Sequence, residues 1–459
     1  MTASNAVTLT KELIQIESTD PGTYETAIGA YIEHFLTALP GVTLHKEEVL
    51  PGRFNLMAEL PGGSVAGADS TSSDAALVSH ATPDSHTAPV SHTGTGAITA
   101  TTRGDSALVF ICHMDTVVVG DGWTLPPFGA VEQDGRIFGR GACDMKSGLA
   151  CCLSAFAYAA QLRAEAGDST ETADSGETGD SGKATDSGKT TSTSHTNTVS
   201  SPSRFRPLKL ICTVDEEDFM RGAEAAIRSG WVTANDWILD SEPTNGQIQV
   251  AHKGRTWFEI EVTGHTAHAS TPWKGADAIA AMAEIIGHIR REIQAAPTHP
   301  DLGISTVTFG QITGGYRPYV VPDSCKVWID MRLVPPTNTV KATEIVEAAI
   351  ALACREVPGV TARYTITGNR PYIEKDEQSP LLSSLQSACE TVTGQKPVVS
   401  IFPGYTDTAV IAGTIDNHNC MSYGPGNLEC AHQPDEWVAV EDILRCEEVY
   451  RQLICGSNT

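Results

Sequence analysis

Three short apolar runs before residue 243 each stop abruptly at acidic or histidine residues. Ala107 to Cys112 runs into His113-Met114-Asp115, Leu208 to Val214 runs into Asp215-Glu216-Glu217-Asp218, and Trp237 to Leu239 runs into Asp240-Ser241-Glu242. Continuous apolar runs of this length fit strands buried on both faces. Helical spacing follows two of them, from Gly148 to Leu162 and from Ala223 to Ser229. Strand–helix–strand alternation predicts a mostly parallel sheet flanked by helices, an α/β fold. The strand ends then gather along one edge, where ligands bind in such sheets.

The rest of the chain divides by texture. Residues 8–39 carry apolar positions at helical spacing, broken by Thr19-Asp20-Pro21-Gly22, and predict two helices with a short strand at 54–58 after them. Residues 61–106 and 164–203 are mostly Gly, Ser, Thr, Ala and Asp, and too few large apolar side chains remain to order them; both read as low-complexity inserts. His80, His86 and His92 recur within the first at a step of six, which reads as solvated linker and not as a metal site. After residue 253 the strands alternate as half-exposed strands do: 256–262, 305–313, 326–333 and 361–367, with helices at 276–295 and 339–356. Strand–helix–strand–strand–helix–strand is the order of a split βαβ, ferredoxin-like unit. Helices at 380–393, 407–413 and 440–453 and strands at 397–401 and 419–423 then restore the first texture. The expected organisation is a catalytic domain formed by 1–253 and 372–459, interrupted by a lid or dimerisation domain at 254–371.

Composition narrows the function classes. The formal net charge of −25 over 459 residues argues against nucleic acid, whose phosphates need clustered Lys and Arg. The twelve cysteines include several inside apolar runs and no CxxC pair, so neither a disulfide framework nor a zinc knuckle is signalled. The first residues lack the basic region and apolar block of a signal peptide, and no apolar run is long enough for a membrane span. A cytoplasmic protein with no membrane partner is expected.

The chemistry lies at the strand ends. His113, Asp115, Asp144, Glu216, Glu217, Glu242 and His432 form a nitrogen and oxygen donor set that suits two divalent ions, zinc foremost, with cobalt or manganese as alternatives. Asp144 can bridge, with His113 and Glu242 on one ion and Glu217 and His432 on the other, as two-ion sites require. Asp240 lies two residues from Glu242, points the same way in an extended segment, and remains the alternative fourth ligand. Glu216 is left over and can serve as general base towards a water at the ions. The reaction expected is hydrolysis of an amide bond. A non-catalytic binding protein of the same fold and a two-metal phosphoesterase are the alternatives, because donors alone do not separate acyl from phosphoryl chemistry.

The segments HMDTV (113–117), GRGACDMKSG (139–148), DEE (215–217), SEPT (241–244), GHTAHAS (264–270) and GPGNLECAHQPDEWV (424–438) resemble the co-catalytic zinc amidohydrolases and metallopeptidases. That family includes acetylornithine deacetylase, succinyl-diaminopimelate desuccinylase, aminoacylase and bacterial glutamate carboxypeptidase. The resemblance implies the metal roles given above, Glu216 as base, Asp115 orienting His113 from behind, and a cis peptide after Asp144. It favours Glu242 over Asp240, since the Glu-Pro-Thr of the deacetylases matches there. It also implies a homodimer through the inserted domain, with His268 reaching the substrate's developing oxyanion from the partner subunit. The substrate would be a small molecule, an N-acyl amino acid or short peptide. Arg332 can pair with a substrate carboxylate, as arginine does well, or make a structural ion pair. Two departures limit the transfer of specificity: GGYRPYVVP has Tyr319 where relatives carry a substrate-facing asparagine, and GYTDTAV (404–410) lacks an arginine that some relatives have.

Overall fold

In the computed structural model every residue of the strand Leu108–His113 is buried, because it lies between Leu208–Thr213 and Trp237–Asp240 and runs parallel to both. A strand covered on both faces and both edges has no position for a polar side chain until it leaves the sheet, and His113 is where it leaves. Residues 5–64, 106–171 and 204–456 are described by the structure. Most of the two low-complexity inserts, the three spaced histidines included, lies outside them.

These three strands form the middle of an eight-stranded mixed sheet. Its order is Val399–Phe402, Ile248–His252, Cys420–Ser422, Trp237–Asp240, Leu108–His113, Leu208–Thr213, Arg53–Leu60 and Thr43–Leu50. Four of the seven pairings are parallel, and the three antiparallel ones lie towards the margins. Thr43–Leu50 and Ile248–His252 have no counterpart among the strands expected from sequence. Thr43–Leu50 is a charged edge strand with no fully buried residue, which keeps an edge from pairing with other chains but leaves no apolar run to detect. The helix Lys146–Glu171 continues past residue 164, where the sequence reads as insert. Its first turns are buried on all sides, so it is apolar all round. Phe110 of the central strand and Tyr450 of the helix Val440–Gly456 pack with ring centroids 4.9 Å apart beneath it.

A second sheet has the order Thr306–Gly314, Ser324–Leu333, Gly254–Thr263, Thr361–Arg370, with every pairing antiparallel. This is the split βαβ arrangement. Phe258, Ile260, Val262, Val327 and Ile329 face Met282, Ile285 and Ile289 of the helix Ala278–Gln294 in a core separate from that of the first sheet. The chain crosses between the sheets at Lys253 and again at Pro371. The crossings are tied together where His252 and Ile373 exchange backbone hydrogen bonds of 3.0 and 2.9 Å. Among the described residues no helix is long and apolar enough to cross a membrane.

Candidate metal centre

Three parallel strands deliver their donors to one edge of the first sheet, and two tight turns deliver the rest. His113 pairs in register with Thr213, and Ile111 with Asp240, so the segments 113–115, 215–217 and 240–242 leave the sheet side by side. Asp144 comes from the turn before the long helix, where the Asp144–Met145 peptide is cis. His432 comes from the loop after Cys420–Ser422, with a left-handed backbone (φ 62°).

The side chains converge as two groups sharing one residue. His113 Nε2 lies 3.1 Å from Asp144 Oδ1 and 3.8 Å from Glu242 Oε1. His432 Nε2 lies 3.3 Å from Asp144 Oδ2 and 3.0 Å from Glu217 Oε2. The donor atoms of each triad, His113–Asp144–Glu242 and Asp144–Glu217–His432, all fall within 4.8 Å of one another. Asp144 therefore turns one oxygen to each triad, as a bridging carboxylate must. Asp240 is not in either group: its Oδ2 accepts a hydrogen bond from Thr408 Oγ1 at 2.7 Å. A third acidic group, Asp20, Glu25 and Asp115, already has its cation, because Arg53 pairs with both Asp20 and Glu25.

The charges fit divalent ions. Four carboxylates, from Asp144, Glu216, Glu217 and Glu242, surround two imidazoles. Burial opposes ionisation of Asp144, yet hydrogen bonds from His113 and His432 hold its carboxyl below the ordinary range. Those at Asp144 and Glu217 raise His432 to about 10. Glu216, only 8 % exposed, is pushed well above the carboxylate range by burial, with Asp407, Glu217 and Asp144 adding to the effect and His113 opposing it. Glu242 is raised for the same first reason, then by Asp144. Such an excess of buried negative charge is what two cations offset.

Asp115 contacts both His113 and the 216–217 loop. His113 Nδ1 faces the Asp115 backbone carbonyl at 2.9 Å, while the nearer carboxylate oxygen is 3.8 Å away. The carboxylate instead accepts the backbone N–H groups of Glu216 and Glu217 at 3.2 and 3.1 Å. One residue thus orients the histidine through its main chain and the 216–217 loop through its side chain.

Arg140 and Glu436 are support residues that sequence reasoning passed over. Glu436 Oε1 accepts the backbone N–H groups of Cys143 and Asp144 at 2.8 and 3.0 Å, and its other oxygen pairs with Arg140 Nη1 at 2.5 Å. Both are buried, so this charge pair fixes the bridging aspartate's backbone. Their positions inside two quoted motifs are the signal that points to them.

Two glycines make room for Glu242. A Cβ on Gly148 would lie 2.2 Å from the Ser241 carbonyl oxygen, and one on Gly424 would lie 2.2 and 2.4 Å from the carbonyl oxygens of Ser241 and Glu242. Gly148→Ala is expected to push the 241–242 segment away from His113. Overpacking of this kind costs roughly 1–3 kcal/mol, and displaced metal support costs about 10–100-fold in affinity. Zinc titration against a competing chelator measures the loss; unchanged affinity would show that the segment does not govern Glu242.

The remaining expected residues lie on the second sheet (Arg332) and on loops that leave it (His268 and Tyr319). His268 is exposed, with Nδ1 2.8 Å from Ser270 Oγ, and its backbone bridges to Val320. Tyr319 is 59 % exposed, and its carbonyl accepts the Ala269 N–H at 3.1 Å, so GGYRPYVVP and GHTAHAS lie side by side. Arg332 is held by Asp330, Nε to Oδ1 at 3.0 Å. None of the three belongs to the metal groups of this chain.

Residues 109–177 match the model of peptidase family M20/M25/M40, and residues 250–358 match a peptidase dimerisation domain. The chain carries matches to an M20 peptidase domain and to a peptidase dimerisation domain. Among M20-type relatives, an acetylornithine deacetylase of Myxococcus xanthus is 26 % identical over 362 residues, covering 77 % of this chain and 81 % of the relative. The aminopeptidase PepT of Bacillus cereus shares the fold with a TM-score of 0.67 at 20 % identity, covering 99 % of this chain and 98 % of that one. A Bacillus subtilis protein described as a dinuclear metal binding peptidase from the M20 family has a TM-score of 0.59 at 15 % identity, covering 98 % and 96 %. As an M20 homologue this chain is a metal-dependent amidohydrolase.

Proposed function

We propose that the chain hydrolyses the amide bond of an N-acyl amino acid or short peptide at a two-zinc centre. The observation that carries this reading is Asp144, with one oxygen towards His113 and the other towards His432. In it His113, Asp144 and Glu242 hold one ion and Asp144, Glu217 and His432 the other, and the description of the B. subtilis neighbour as dinuclear supports the count. The ions, when bound, lower the pKa of water and polarise the substrate carbonyl. Glu216 takes the proton from the attacking water and returns it to the leaving nitrogen. Asp115 positions Glu216 through its backbone N–H.

In this reading the catalytic domain is 1–253 with 372–459, and 254–371 is a lid through which two copies pair, as the dimerisation match at 250–358 supports. His268 is exposed and outside this chain's metal groups, in keeping with service to the partner subunit's site. Mixing inactive Glu216→Ala and His268→Ala variants is then expected to restore up to about a quarter of the activity on subunit exchange, by random pairing of subunits. No recovery in exchanged mixtures would count against service in trans.

The function is tested with zinc-loaded protein on a panel of N-acyl amino acids, dipeptides and an aryl phosphate. Turnover of an amide that is lost in Glu216→Ala is expected. Phosphatase activity alone, or tight binding without turnover, would overturn the reading.

A further inference from the structure

One buried arginine stands behind the loop that carries Glu216. Asp215, the residue before Glu216, has a left-handed backbone (φ 67°), a conformation that persists in a non-glycine residue only where its surroundings enforce it. Every polar group of Asp215 is engaged. Its N–H donates to Glu25 Oε1 at 3.3 Å and its carbonyl accepts the Met220 N–H at 2.6 Å. Its carboxylate accepts Arg221 Nε and Nη2, each at 2.5 Å. Glu216 leaves this turn with its own N–H on the Asp115 carboxylate. The course of the backbone at Glu216 is therefore set by Asp215 on one side and by Asp115 on the other.

Arg53 joins these two supports from inside the protein. Its Nε donates to Glu25 Oε2 at 2.7 Å, and its Nη2 donates to Glu25 Oε1 and, at 2.7 Å, to Asp20 Oδ2. Its Nη1 lies 3.5 Å from Asp215 Oδ1. Asp20 and Glu25 belong to the acidic group that also contains Asp115. Arg53, Glu25, Asp115 and Asp215 are all buried, whereas the Arg221 side chain is 39 % exposed. A buried ion cluster adds little stability over apolar packing, because desolvating its charges offsets much of their attraction. The fork of Arg53 fixes where the acidic partners point, and a lysine would bring the charge without the fork.

We propose that Arg53 is a positioning residue for the general base. It holds Glu25 against the Asp215 N–H and offsets the negative charge beside Asp115, so that the 215–217 loop aims the Glu216 side chain at the reaction centre. The proposal rests on Glu216 acting as base and adds the residue that aims it.

The test is a double-mutant cycle on the zinc-loaded protein, with the N-acyl amino acid or dipeptide that it hydrolyses fastest as probe. Arg53→Gln is expected to lower kcat by about 10–100-fold, as for loss of support behind an active group, with KM and zinc content close to those of the unaltered enzyme. Arg53→Lys recovers part of the loss. In the Glu216→Gln background Arg53→Gln lowers kcat by no more than about twofold, because a residue that acts through Glu216 then has nothing to aim. Asp215→Asn keeps a residue that tolerates the left-handed turn while weakening the clamp, and it carries the same cycle if Arg53→Gln does not fold. Hydrogen exchange of the zinc-free protein reads the loop without turnover: the 214–220 amides are expected to exchange faster in these variants, and those of the helix Ala278–Gln294 at an unchanged rate. Equal kcat losses in both backgrounds, a loss expressed in KM or zinc content, or unchanged exchange at 214–220 would overturn the proposal and leave Arg53 a structural residue. Full activity of Glu216→Gln alone would defeat the base assignment and the proposal together; lost activity there with equal losses at Arg53 defeats the proposal alone.

Discussion

Glu216→Gln is expected to lower kcat by about 10²–10⁴-fold, the usual contribution of a positioned general base, while KM and zinc content stay close to those of the unaltered enzyme. The reason is positional. Glu216 belongs to neither triad of donors, yet its backbone is fixed by the Asp115 carboxylate and its side chain is buried beside both triads. Burial, and after it the neighbouring carboxylates, push its carboxyl upwards; bound cations would oppose that shift and bring the group towards the range in which a base works near neutral pH. Loss of zinc in this variant would make Glu216 a ligand, and full activity would remove it from the reaction.

The second large effect is expected at Asp144. Asp144→Ala removes an oxygen from each triad at once, so zinc should fall from two ions per chain to well below one. An ion acting as Lewis acid supplies several kcal/mol of transition-state stabilisation, and losing about 4 kcal/mol of it slows turnover roughly a thousandfold. His432→Ala, which touches only one triad, should keep the ion at His113 and Glu242. Metal analysis of the two purified variants separates these outcomes. Equal zinc content in both would argue that Asp144 does not bridge.

What was legible in the sequence follows from burial. Leu108–His113 is apolar to its last residue because neighbours cover it on every side, so its end and the histidine there stand out. Thr43–Leu50 was not legible, because an exposed edge strand has no core-facing run. The metal donors could be collected because His113, Glu217 and Glu242 lie at or just past the ends of apolar strands and Asp144 and His432 lie in loops inside recognisable motifs. Arg140 and Glu436 could not be paired by spacing, being 296 residues apart; only the fold brings them together. Asp115 was expected to orient His113, but that it does so through its main-chain carbonyl leaves no trace in residue type.

The central claim is a pair of ions flanking Asp144. Anomalous diffraction at the zinc edge from zinc-loaded crystals tests it most directly. The account predicts two peaks per chain about 3.5–4 Å apart, one beside His113 and Glu242, the other beside Glu217 and His432, with an Asp144 oxygen towards each. A single peak, or a peak among Asp20, Glu25 and Asp115 instead, would contradict it.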